Sequence, residues 1–383
     1  MYSEEELNSA VAAGALSAEA AEGLRAHVSA QRDMPRSDEE SFRLVTSLND
    51  IFVTIGVVIL LVAAGAIGQQ LAGALVPMQQ FPAEMNDAAV ERYQSARAAP
   101  SGLAMLLSGA LVAATAWPLA EFFTRRRRMA LPSIVLLLAF VGAVFAAAVG
   151  VGTATHGLDG ELAGALFVSS AGLVAALAAW LHWKRFMVPI TVAAGAAGLA
   201  VTLIALAGAA IELATGRASD ADWMLPLVAI AGLVIFAFAM RWDISDRART
   251  TRRSDVAFWL HLLAAPMIAH PLFSSLGVMD GGDGVGIGGA LGVIAIYVLF
   301  GLVALAIDRR ALLVSALAYV LAALTFLFDR FGAVELNFAL TALVIGSALL
   351  TLSAFWSPIR ARVVEWLPRD WRARLPVAGA VPA

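Results

Sequence analysis

The sequence predicts an all-α fold, a polytopic transmembrane helical bundle of about ten spans behind a small amino-terminal helical segment. Three observations carry that expectation. Charged residues make up 14% of the 383 and hydrophobic ones 60%, with a mean hydropathy of +0.81, whereas a soluble domain carries about 25% charged residues. The apolar residues fall into stretches of roughly 20, the length a helix needs to cross the hydrocarbon core. The basic residues crowd into alternate connections between those stretches, the pattern that orients a multi-span chain.

Residues 1–48 come first and are polar. They read as two or three short helices of a cytoplasmic segment. Ser3 with Glu6 is a capping box, and Gly14 is a helix stop. Ser17 opens a second helix that runs to about Gln31, with Leu24 and Val28 on one face, and Pro35 breaks it. Ser37 with Glu40 is another capping box, and it starts an amphipathic stretch of Phe42, Val45 and Leu48 that leads into the first span. Leu7, the run Val11-Ala12-Ala13-Gly14-Ala15-Leu16-Ser17 and the pair Ala20-Ala21 resemble the opening of a bacterial membrane-protein family catalogued as domain of unknown function 2157. The resemblance covers about the first thirty residues. It implies a short helical segment followed by many spans, and it carries no activity. A helical pair here is a candidate docking site for a cytoplasmic protein partner. Nucleic acid is not expected, because acidic residues outnumber arginines in this segment.

The transmembrane region, residues 49–357, holds the apolar stretches Ile51–Leu75, Gly102–Phe123, Met129–Gly152, Leu162–Trp183, Met187–Ile211, Trp223–Met240, Val256–Val278, Val285–Ile307, Ala311–Phe328 and Leu336–Trp356. These are helices, because lipid offers a backbone amide no partner outside its own segment. The ten-residue alternating segments of a β-barrel are not seen. The first stretch is too long for a signal-peptide core and lacks a cleavage site, so it is expected to stay as a span. Small residues such as Ala193-Ala194-Gly195-Ala196-Ala197-Gly198 predict close helix approach. The first and last five spans show no repeat of the kind found in many transporters.

Of 26 basic residues, all but Arg92, Arg97, Arg217 and Arg330 lie in the amino-terminal segment, in alternate loops, or in the basic tail at 358–383. That pattern expects both termini in the cytoplasm. The opposite loops are acidic, with Glu84, Asp87, Glu91, Asp159, Asp220, Asp222, Asp280 and Asp283. Lys184 is the single lysine and alanine is abundant, which reads as the codon bias of a GC-rich bacterial genome and so as a bacterial inner membrane. Arg125, Arg126, Arg127 and Arg128 form one inner loop, suited both to fixing topology and to meeting anionic lipid headgroups.

No Asp, Glu, Lys or Arg falls near the middle of a span; Glu121, Glu212, Asp243, Asp308 and Asp329 all fall near ends. That argues against a proton-coupled carrier, which needs a titratable group at depth. The seventh span differs from the others. It carries His261, Pro266, His270, Pro271 and Ser274, a candidate polar site inside the membrane. The two histidines are about two and a half turns apart, face opposite ways, and are separated by roughly 13 Å along the axis, so no shared metal is expected. His270 and Ser274 can share a helix face. No oxyanion hole or orienting acid accompanies them, so no catalytic residue is assigned.

Other chemistry is excluded on similar grounds. Gly284, Gly286 and Gly289 follow the dinucleotide spacing, but a membrane helix rather than a strand precedes them. Asp280 and Asp283 are too few for a calcium site, and His156, Asp159 and Glu161 read as solvated loop residues. The absence of cysteine removes disulfides, thiol nucleophiles and cysteine metal sites. No cofactor is expected, and the bilayer is the expected partner. The function these residues favour is a non-enzymatic multi-span membrane protein. A secondary transporter of a neutral or amphipathic solute is the alternative, and a membrane-embedded enzyme comes third.

Overall fold

The computed structural model describes residues 10–14, 16–24, 48–77, 86–155, 160–216, 221–247, 249, 251–277, 287–310, 313–317, 319–321, 324 and 337–376. Among the described residues every regular element is helical. In the amino-terminal segment, residues 10–12 and 18–24 are helical. Gly14 ends the first at a positive φ of 70°, and Ser17 Oγ caps the second by accepting from Ala20 N at 3.1 Å. The patterns at Ser3–Glu6 and Ser37–Glu40, and the stretch from Phe42 to Val45, lie outside the described residues.

The bundle follows as α1 (Leu48–Leu75), α2 (Asp87–Ala120), α3 (Ala130–Ala154), α4 (Glu161–Phe186), α5 (Ile190–Thr215), α6 (Ala221–Ser245), α7 (Arg252–Ser274), α8 (Ile287–Ile307), α9 (Asn337–Ala354), α10 (Trp356–Trp366) and the short α11 (Arg369–Arg372). The first eight, α1 to α8, are long and apolar enough to cross a membrane. α9 and α10 pass that test only as a pair bent by 78°. The stretch expected as the ninth span, Ala311–Phe328, is helical at 313–317, 319–321 and 324 and otherwise lies outside the described residues.

Helix ends depart from the apolar stretches where local chemistry adds turns. α2 begins at Asp87, well before Gly102, because Asn86 caps it by accepting from Ala89 N at 2.8 Å. At its other end α2 widens into a π-helical turn, Glu121–Arg126, one turn after Pro118 removes a backbone donor. α5 stops at Gly216, whose φ of 62° is the left-handed conformation of a helix cap. The basic tail expected at 358–383 is folded where described. α10 and α11 occupy much of it, and Trp356, Arg360 and Val363, spaced as one helix face, are buried.

Consecutive helices from α1 to α7 pack against one another, and α8 packs against α10. Arg185 meets Glu121, while Arg309, Arg249 and Trp356 meet Asp243 and Asp308, so these helix ends gather into an arginine-rich end of the bundle. Packing relies on small residues. A Cβ on Gly198 of α5 would meet the Gly172 carbonyl oxygen of α4 at 2.8 Å, so these helices touch backbone to backbone at the predicted small-residue run. α7 is the central helix. Its most apolar stretch is 56% buried, against 17% for α1. Val256, Ala257, Leu260, Ala264, Ala265, Ile268, Ala269 and Phe273 form its buried stripe. Large apolar side chains such as Phe52, Ile59, Leu203 and Val234 point outward, a surface suited to lipid and not to water.

Candidate functional site

Charge gathers where α6, α7 and the exit of α8 meet. Asp243 lies in the last turn of α6, His261 about two and a half turns into α7, and Arg309 two residues past α8. Arg309 Nη2 donates to Asp243 Oδ1 at 2.6 Å. His261 Nε2 lies 2.9 Å from Asp243 Oδ2. Arg309 Nη2 also donates to the Ser254 carbonyl at 3.0 Å and reaches Ser254 Oγ at 3.2 Å. Asp243, His261 and Arg309 are 1%, 1% and 3% exposed. One carboxylate therefore bridges an imidazole and a guanidinium out of contact with solvent. The ring of Phe236 lies edge-on to His261, and Arg309 sits over Phe258. Nδ1 of His261 has no hydrogen-bond partner among the described residues. The proton therefore belongs on Nε2, facing the carboxylate, since a bare buried nitrogen costs less than an orphaned N–H.

The turn after α8 commits each of its three residues to a contact. Asp308, held at φ 58°, accepts from Arg249 Nη1 at 2.8 Å and from Trp356 Nε1 at 2.8 Å. Arg249 Nη2 also donates to the Ile307 and Asp308 carbonyls, which closes the carbonyl end of α8. Arg310 lies over the Trp356 ring at 4.7 Å. Arg247 Nε and Arg360 Nη2 donate to the carbonyls of Leu375 and Pro376, tying the segment after α11 to the same region.

The residues singled out on the seventh span fall at separate places. His261 joins Asp243. His270 Nδ1 lies 2.8 Å from Tyr319 Oη, beside a stack of Tyr319 on Phe273, and Ser274 is half-buried one turn on. Pro266 is exposed and Pro271 buried, and α7 runs through both. Arg125, Arg126, Arg127 and Arg128 are all exposed. Arg125 reaches Glu121 at 3.5 Å, and Arg185 pairs with Glu121 more closely. Among the described residues no group of three or more His, Asp or Glu side chains could hold a metal.

His182 of α4 was not anticipated from the sequence. It is 1% exposed and ringed by Trp117, Phe140 and Phe186, with Nδ1 3.4 Å from Thr191 Oγ1 of α5. Grooves of about 420 Å³ and 300 Å³ lie elsewhere, along α1, α2 and α3, with Gln69 and Ala104 lining both and Met105, Val112 and Leu138 among the lining of the larger. Comparisons of the chain with protein-family models, curated proteins and solved structures find no match.

Proposed function

We propose that the chain is a non-enzymatic integral protein of a bacterial inner membrane, with the arginine-rich end and both termini in the cytoplasm, and that the polar groups inside its bundle tie helices together. One observation carries this reading. His182, His261 and His270 are each spent on a neighbouring segment, through Thr191, Asp243 and Tyr319. Groups that bind a moving solute have to face a path, whereas these face partners. The topology rests on the arginine distribution. The resemblance of the first thirty residues to domain of unknown function 2157 agrees with this architecture and adds no activity.

A second reading has one specific support. Asp243 and His261 are a buried carboxylate–imidazole pair where the last turn of α6 meets α7, the kind of pair that relays protons in carriers. Full-length protein in vesicles loaded with a pH-sensitive dye separates the two. The structural reading expects no proton flux across a panel of neutral and amphipathic solutes, for the native chain and for His261→Gln alike. A solute-dependent flux lost in His261→Gln would replace it with transport. Reporter fusions after Arg128 and Arg253 are expected to read cytoplasmic, and fusions near Asp220 and Asp283 external. An external signal at Arg128 would overturn the orientation.

A further inference from the structure

α9 is an apolar helix, and α10 leaves it at 78°. With α9 read as the membrane-embedded arm of that bent pair, α10 runs close to the membrane plane. α10 does so at the arginine-rich end, where one of its faces is already occupied. Trp356, Arg360 and Val363 are buried there, and Trp356 and Arg360 both approach Asp308 at the exit of α8. The other face is open. Arg362 and Trp366, one helical turn apart, are exposed, and Trp366 is 80% exposed. Past Pro368 the open face continues with Arg369, Trp371 at 64% exposed, and Arg374. Among the described residues Arg362, Arg369 and Arg374 make no ion pair. Arg372 is committed elsewhere, since it donates to the carbonyls of Leu367 and Glu365 and closes the end of α10. The acidic residues on this surface are Glu365 and Asp370.

The segment is also pinned at both ends. Asp308 holds its start, and Arg247 and Arg360 hold the Leu375 and Pro376 carbonyls at its finish. A surface fixed before binding loses little conformational entropy when it binds. Tryptophan is the side chain that sits at headgroup level, and arginine is drawn to anionic lipid there.

We infer that α10 and α11 form an interfacial shelf that binds anionic phospholipid headgroups of the leaflet at the arginine-rich end, with Arg362, Arg369 and Arg374 as the charge contacts and Trp366 and Trp371 as anchors. The inference rests on the bundle being embedded in a bilayer, and it is independent of whether the bundle carries a solute.

The absence of cysteine makes the test direct, because Ala373→Cys gives a single labelling site on the exposed face. The full chain, labelled there with bimane, is placed in mixed phosphatidylcholine–phosphatidylglycerol vesicles in which one lipid or the other carries brominated chains. Brominated phosphatidylglycerol is expected to quench more strongly per lipid. The preference should fall by about fivefold for each arginine neutralised in Arg362→Gln, Arg369→Gln and Arg374→Gln. It should also shrink for the native sequence as salt rises, a readout that needs no further variant to fold. Equal quenching by the two lipids overturns the inference. So does the absence of quenching by either lipid, which would put the shelf in water.

Discussion

Changing Asp243 to alanine would take the carboxylate from Arg309, which is buried at 3% exposure, and would orphan Nε2 of His261. Removing one partner of a buried ion pair costs about 3–5 kcal/mol, most of it from the charge left behind. At roughly 2 °C per kcal/mol for a large chain, that is a fall of about 6–10 °C in Tm. The assay is thermal unfolding of the detergent-purified full chain, followed by fluorescence-detected size exclusion. A double-mutant cycle sharpens it. Asp243→Asn and Arg309→Gln each destabilise, but the pair together should cost less than the sum, with a coupling of about 2–3 kcal/mol. The reasoning is refuted if the single effects add to within about 0.5 kcal/mol, since the carboxylate and guanidinium would then not be sharing a buried contact.

The remaining expectations are simpler. Tyr319→Phe removes the hydroxyl that meets His270 and should cost about 1 kcal/mol, read as a small Tm loss that His270→Phe in the same chain does not increase. Gly198→Ala should lower folded yield sharply, because its methyl would strike the Gly172 carbonyl, while Gly195→Ala, whose methyl would meet Ala179 Cβ at an ordinary 3.6 Å, should be neutral; equal yields for the two would contradict the close α4–α5 contact. Trp356→Phe keeps the ring under Arg310 and loses the hydrogen bond to Asp308. Proteolysis of intact protein should then cut between α9 and α11 earlier than in the native chain, while α1 to α8 stay protected.

The spans were legible because lipid leaves the chain few choices. The apolar limits at Met129, Leu162 and Met187 fall within a few residues of the starts of α3, α4 and α5. Hydropathy marks where hydrocarbon begins and not where a helix begins, so it missed the early start of α2, although Asn86 was a readable cap. It also ran the last span on to Trp356 and gave the rest to a tail. The spacing of Trp356, Arg360 and Val363 held the sign of a further helix, but the 78° bend goes with contacts to the turn after α8, which no local pattern encodes. The same limit applies to the polar cluster. Counting residues from a helix end puts Asp243 at the surface. In the fold that end is covered by Ser254, His261 and Arg309 from other segments, so a terminal charge becomes an interior one. His261 was noticed as a histidine in an apolar run; its partner could be found only in three dimensions.

The stretch Asp308-Arg309-Arg310 commits three successive side chains: Asp308 to Arg249 and the Trp356 indole N–H, Arg309 to Asp243, and Arg310 to the face of Trp356. A helix turns by about 100° with each residue. Inserting or deleting a single residue late in α8 would therefore rotate all three away from their contacts at once, however harmless the residue itself. Loops between spans ordinarily accept changes of length. This one is a counted joint, where evolution and the protein engineer alike are free to vary identities more readily than number.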